Sequence, residues 1–219
     1  MNTATALSPE LEVDINRSRI YYLLAAGFSW PDDKLKGVLT ELWTLADTLF
    51  PELELDRKVL GQPDAEIEAE YINVFDGHDN KHHCKPYEGL WHDADRAKRQ
   101  WEVKKFYHVF GLEMNPAVHE MPDHIMYELE FMHYLSTRMV QALRGEARQQ
   151  DPNGPRDYLQ AQVDFMQRHL SQWLPAFCEH LPRTTEFEIY RQLGRITEKF
   201  IAEDQAWLET RLESFEPDE

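Results

Sequence analysis

Apolar residues recur every three or four positions along most of this chain, the spacing that gathers them on one face of an α-helix. The first such segment opens at Asp14 or Asn16, either of which can cap a helix, and runs to about Ser29. Trp30-Pro31 ends it. Pro31 and Asp32 start a second helix that turns Leu35, Val38, Leu39, Leu42, Leu45, Ala46 and Leu49 inward, and Pro51 stops it. A short helix follows from Asp64 through Tyr71 and Phe75. Residues 76–86 have no periodicity and many turn formers, so they read as a long ordered loop, a class that often carries function.

Helical spacing resumes near His92 and ends at Phe110, where Gly111 is free to take the left-handed conformation that closes a helix. A connector over 111–122 leads to the longest central helix. Asp123 is placed to cap it, and Ile125, Leu129, Met132, Leu135, Met139 and Leu143 share one face. After a polar break over 145–155, Pro155 opens a helix through Leu170. The last helix starts near Thr185 and aligns Ile189, Leu193, Ile196, Phe200, Trp207 and Leu208. No stretch keeps the two-residue period of a strand, and no internal repeat is visible. The expectation is an all-α, single globular domain of eight or more helices, packed in pairs around one core. Its boundaries are a flexible N-terminus over 1–12 and a helical domain over 13–213. That domain has an N-terminal part to about 110, the connector 111–122 and a C-terminal part over 123–213; an acidic tail follows over 214–219.

Composition narrows the function. Of 219 residues, 42% are hydrophobic and 12% aromatic, enough to build a core. The net charge is −17, a field that repels phosphate backbones and anionic lipid and attracts basic peptides. Nucleic acid is therefore an unsuitable partner. Cys84 and Cys178 are too few for a disulfide framework, which points to a reducing compartment. The first nine residues have neither the basic start nor the apolar stretch of a signal peptide. The densest apolar run, Ile20 to Phe28, falls far short of the ~20 residues of a bilayer span. The expected location is the cytoplasm.

Few residues carry recognisable chemistry. His119, Glu120 and His124 miss the zinc-protease spacing, because the second histidine falls five residues on and Pro122 intervenes. Glu130 and His133 have the Glu-x-x-His spacing of di-iron bundles, but the second copy that such a site needs is missing. The loop histidines with Cys84 are of ligand type, yet they match no common zinc pattern. His82, His83 and Cys84 are the candidates for the competing reading, a helical metal-binding protein or metalloenzyme. A third reading is a scaffold for some other protein. No phosphate-binding glycine loop or nucleophile elbow is present, so catalytic residues and a bound cofactor are not expected.

Four ordered segments resemble the TorD/DmsD/NarJ family of redox-enzyme maturation chaperones. Tyr71-Ile-Asn-Val-Phe75, then Pro86-Tyr87-Glu88 and Trp91, is similar to the family's Tyr-x-x-Leu-Phe helix and Pro-Tyr-Glu-Ser. Glu120-Met-Pro-Asp-His124, running into Ile125-Met-Tyr-Glu-Leu-Glu-Phe-Met132, resembles its Glu-x-Pro-Asp-His signature. Phe165-Met-Gln-Arg-His-Leu170 with Trp173 and Pro175-Ala-Phe177 is the third segment, and the terminal helix with Tyr190, Leu193, Phe200 and Asp204 the fourth. Departures are Gly89 for the family's serine, Val74 for its leucine, and a loop lengthened by His82-His-Cys84. The resemblance implies a non-enzymatic, TorD-like cytoplasmic chaperone. Its partner would be the apo catalytic subunit of a molybdopterin-dependent oxidoreductase of the DMSO reductase family. Binding that subunit, in some cases at its twin-arginine signal peptide, would assist cofactor insertion and delay export. The family also makes a monomer or a domain-swapped dimer the expected assembly. By the same resemblance Asp123 and His124 belong to the client- or leader-binding site. Tyr71, Phe75, Pro86, Tyr87, Glu88, Trp91, Glu120 and Pro122 join them as its other candidates.

Overall fold

The computed structural model describes residues 8–77, 84–92, 95–115, 120–146 and 151–215. Among these, eight α-helices follow one another: α1 (Pro9–Gly27), α2 (Leu35–Leu49), α3 (Asp64–Tyr71), α4 (Arg96–Val109), α5 (Ile125–Leu143), α6 (Pro155–Phe165), α7 (Ser171–His180) and α8 (Glu188–Ser214). The all-α expectation holds. A π-turn over Met166–Leu170 joins α6 to α7 as one rod, and another over Ile72–Asp76 prolongs α3. The sole extended pairing among the described residues is a two-residue bridge between Tyr87 and His124.

Local chemistry moves several boundaries from where periodicity puts them. α1 starts at Pro9, not at Asp14 or Asn16, because the Ser8 hydroxyl accepts from the Leu11 amide at 3.2 Å and Pro9 suits the first turn. Residues 9–12, assigned above to a flexible terminus, are thus helical. α4 begins at Arg96, capped by Asp95, rather than near His92. α5 is capped by His124, whose Nδ1 accepts from the Met126 amide at 3.2 Å, and not by Asp123. Gly111 does adopt φ 71° at the end of α4.

α1 and α5 form the central pair; α2 packs on α1, α6 on α5, and α8 lies across α6 and α7. One buried cation ties this arrangement together. The Arg17 guanidinium on α1 donates to both Asp204 oxygens on α8 and to Gln162 Oε1 on α6 at 3.0 Å, and it lies 4.0 Å above the Trp207 ring. Tyr21 Oη adds a donation to Asp204 Oδ2 at 2.6 Å. Asp14 completes the group at 3.4 Å; burial pushes its carboxyl up to about 6 against the pull of Arg17. Toward the end of α1 and the start of α8, Phe28, Tyr71, Phe75, Phe177 and Tyr190 pack ring against ring, and Tyr71 Oη donates to the Phe28 carbonyl at 3.2 Å.

Removing one partner of a buried ion pair strands the other in low dielectric. Arg17→Ala is expected to lower unfolding free energy by about 3–5 kcal/mol in urea denaturation. A loss below about 1 kcal/mol would show that the network is incidental to the fold.

Candidate functional site

Two segments far apart in sequence are locked together by main-chain hydrogen bonds. The Ile125 amide donates to the Pro86 carbonyl at 2.8 Å, and the Glu88 amide to the Asp123 carbonyl at 2.9 Å. This pairing brings Pro86-Tyr87-Glu88 beside Pro122-Asp123-His124 at the start of α5. The loop that precedes it is held at both ends: the Cys84 amide donates to the Val74 carbonyl at 2.8 Å and Lys85 Nζ to the Gly77 carbonyl at 2.6 Å. Below it, Trp91 Nε1 donates to the Lys85 carbonyl at 2.8 Å, and its ring packs on Phe177 and His180.

The paired segments form one wall of a cleft of about 290 Å³. Tyr71, Phe75, Pro86, Tyr87, Glu120 and His124 all line it, as do Ser29, Trp30, Asp76, Met126 and Tyr127. Tyr87 Oη donates to Glu120 Oε2 at 2.5 Å, and the Tyr87 ring meets the His124 ring edge to face at 5.0 Å. Trp30, half exposed at the mouth, packs its edge on Tyr71 at 5.5 Å. Asp76 and Glu120 are its acids. Burial drives the His124 pKa down to about 4, although Glu120 pulls the other way. The ring is therefore neutral at pH 7, as its role in accepting from the Met126 amide requires.

Asp123 and Glu88 face the other way, into the protein, and both are fully buried. Asp123 accepts from the Gly89 amide at 3.1 Å and from Gln100 Nε2 at 3.0 Å, with Arg96 4.0 Å away. Gly89 has no room for more: an added Cβ would lie 2.6 Å from Arg96 Cγ and 3.0 Å from Asp123 Oδ2. Serine at this position therefore requires Arg96 to move. Glu88 accepts from His169 Nδ1 at 2.9 Å and has Arg99 at 3.9 Å. Glu128, one turn into α5, accepts from Trp173 Nε1 at 2.9 Å. Burial, reinforced by the charge of Glu88, pushes the Glu128 carboxyl well above the ordinary carboxylate range. Glu88 and Glu128 each keep a buried Oε1 without a hydrogen-bond partner. Burial and the charge of Glu88 both favour the protonated form of Glu128.

Thus six of the ten expected site residues share the cleft, while Glu88, Trp91, Pro122 and Asp123 lie behind its wall. Sequence reasoning missed Trp30, Asp76, Met126 and Tyr127 on the cleft, and Glu128 and His169 behind it. Glu128 had a readable signal, a carboxylate on the apolar face of α5 between Ile125 and Met132. Trp30 had none, since it lies beyond the end of a helix. His82 and His83 fall outside the described residues. Cys84 is buried, its thiol pushed up by burial and its Sγ 3.6 Å from the Phe177 carbonyl. Among the described residues no three His, Cys, Asp or Glu side chains are grouped to hold a metal ion.

The two titrations have opposite signs. His124 is depressed in the folded state, so its contribution is present above about 6.5 and lost as pH falls toward about 4. His124→Asn, which can still cap α5, should flatten thermal stability between those values, where wild type loses up to about 3 kcal/mol. Parallel melting curves would refute this. Glu128 is raised, so its contribution is present below about 4.5 and lost as pH rises through its folded pKa. Glu128→Gln keeps an acceptor for Trp173 and removes the titrating group. Its melting temperature relative to wild type should climb from pH 5 to 8; a constant difference would mean that folding does not raise the Glu128 pKa.

A family profile described as nitrate reductase delta subunit matches residues 31–179. The chain is 28% identical over 217 residues to the perchlorate reductase assembly chaperone protein of Dechloromonas aromatica, covering 92% of this chain and 94% of that one. It is 31% identical over 175 residues to the selenate reductase assembly chaperone protein of Thauera selenatis, covering 80% of each. The chaperone protein TorD of Vibrio cholerae is 26% identical over 210 residues, 88% of this chain and 92% of TorD. In fold, the chain is similar to the crystal structure of a proposed redox enzyme maturation protein from Archaeoglobus fulgidus. That match has a TM-score of 0.50 and 20% identity, and covers 92% of this chain and 98% of that one. With the profile spanning more than half of the chain, and these relatives matching along most of it, the chain belongs to the nitrate reductase delta subunit family, the TorD/NarJ chaperones.

Proposed function

We propose that this protein is a cytoplasmic chaperone for the apo catalytic subunit of a molybdopterin-dependent oxidoreductase of the DMSO reductase family. It binds that subunit, at a twin-arginine leader where there is one, and holds it until the cofactor has been inserted. The observation that carries this reading is the cleft. Its walls are aromatic and apolar, its two acids are Asp76 and Glu120, and the whole chain bears −17. A leader is basic at its start and apolar in its middle, so one end meets acids while the other packs on rings. The names of the relatives support a reductase subunit as the client, since each of the perchlorate, selenate and chlorate chaperones is named for reductase assembly. No helix among the described residues is long and apolar enough to cross a membrane.

Within this reading the ten candidate residues divide by position. Tyr71, Phe75, Pro86, Tyr87, Glu120 and His124 touch the bound segment. Glu88, Trp91, Pro122 and Asp123 hold the wall in place. Asp123 then acts on binding through the 86–89 segment and not by contact.

The test is calorimetric titration with the leader peptide of a reductase catalytic subunit encoded in the same genome. Tyr87→Ala and Glu120→Gln should each weaken binding by about tenfold, or ~1.4 kcal/mol, with little change in melting temperature. Asp123→Ala should instead lower stability by about 1–3 kcal/mol, because the buried Gly89 amide loses its acceptor. Unchanged affinity in both cleft variants would remove the cleft from the client site. No binding of peptide or of intact apo subunit by wild type would end the chaperone reading for that client.

A further inference from the structure

The basic residues of α4 fall into two sets. Arg96 and Arg99 lie on the side facing Asp123 and Glu88, 4.0 and 3.9 Å from their carboxylates. Lys98, Trp101, Lys104, Lys105 and His108 recur at three- and four-residue intervals along the opposite face. All five are exposed, and Trp101, at 62%, is among the most exposed large hydrophobic side chains described. Among the described residues none of the three lysines has a carboxylate partner, in a chain with 40 acidic residues. The Lys105 ammonium lies 5.5 Å over the Trp101 ring, so the cation and the indole form one surface. Beside the stripe runs a groove of about 490 Å³, floored by Tyr107, Leu112 and Met114 and bearing one acid, Glu113.

We propose that this outer face of α4 is a second docking surface, which takes an acidic polypeptide segment carrying an apolar anchor. The anchor packs between Trp101 and Met114, and its flanking carboxylates meet Lys104, Lys105 and Lys98. Charge complementarity selects this occupant. A basic, aromatic stripe on a chain of −17 is a local reversal of sign, which a short acidic segment can reach. An extended polyanion such as nucleic acid or an anionic bilayer spreads over the surrounding acidic surface and is repelled. The surface is of opposite sign to the cleft and does not depend on the cleft's proposed role.

The experiment uses the full chain and a fluorescein-labelled, amphipathic 12-residue peptide of glutamate and leucine, read by anisotropy. Lys104→Glu combined with Lys105→Glu should weaken binding at least tenfold, and so should Trp101→Ala. Raising salt should weaken wild-type binding, and Tyr87→Ala should leave it unchanged. Circular dichroism checks that these exposed substitutions leave the fold intact. No binding by wild type, or equal binding by the α4 variants, overturns the proposal. It is equally overturned if single-stranded DNA or phosphatidylserine vesicles bind through Lys104 and Lys105 more tightly than the peptide. Self-association that is lost in the same variants would make a second copy of this chain the occupant, and would also overturn it.

Discussion

The architecture of the cleft rests on a short main-chain pairing, Pro86 to Ile125 and Glu88 to Asp123. The pairing joins the approach to a single 3-10 turn, Glu88–Leu90, to the start of α5, and buried peptide groups without partners are costly. Each segment supplies the other's partners. Everything nearby follows from that union: Tyr87 is set against His124, Asp123 is turned onto Gly89, and Glu88 is pointed at His169. One side of the pairing presents rings and an exposed acid; the other buries carboxyls among cations and an indole.

The buried side has a particular electrostatic order. Three carboxyls, Glu88, Asp123 and Glu128, sit where water does not reach, and α4 sends Arg96 and Arg99 toward two of them. The third is relieved by keeping its proton, which burial and the neighbouring Glu88 both favour. Charge pairing and protonation thus divide the cost of a polar interior between them. Gly89 is the geometric condition for this division, since a side chain there would displace Arg96.

Much of the fold was legible because helix periodicity is a local signal: most residues read as the inward faces of α2, α5 and α8 are buried, while Val38, Leu45, Leu143 and Trp207 are half-buried and Leu49, expected inward, is exposed where α2 ends. Boundaries set by a single side chain were not. Ser8 outcompeted Asp14 as a cap because Pro9 follows it, and His124 replaced Asp123 because the Gly89 amide claims the aspartate. At the site, residues within a motif were legible and residues brought in by tertiary packing were not. Trp30, Tyr127 and His169 reach it from α1's end, from the side of α5 and from the π-turn after α6, and nothing in their local sequence says so. The division of Asp123 from His124 was invisible for the same reason: adjacent residues in an extended segment point to opposite sides.

The loop between Gly77 and Cys84 is clamped at both ends, by the Cys84 amide on Val74 and by Lys85 on Gly77. Once its ends are fixed this closely, the entropy of closing the loop grows only with the logarithm of its length, about 0.6 kcal/mol per doubling. Insertions and new side chains there are therefore thermodynamically cheap and leave the cleft walls where they are. Descendants of this chain can lengthen the stretch between these two clamps and still inherit the main-chain pairing that builds the cleft.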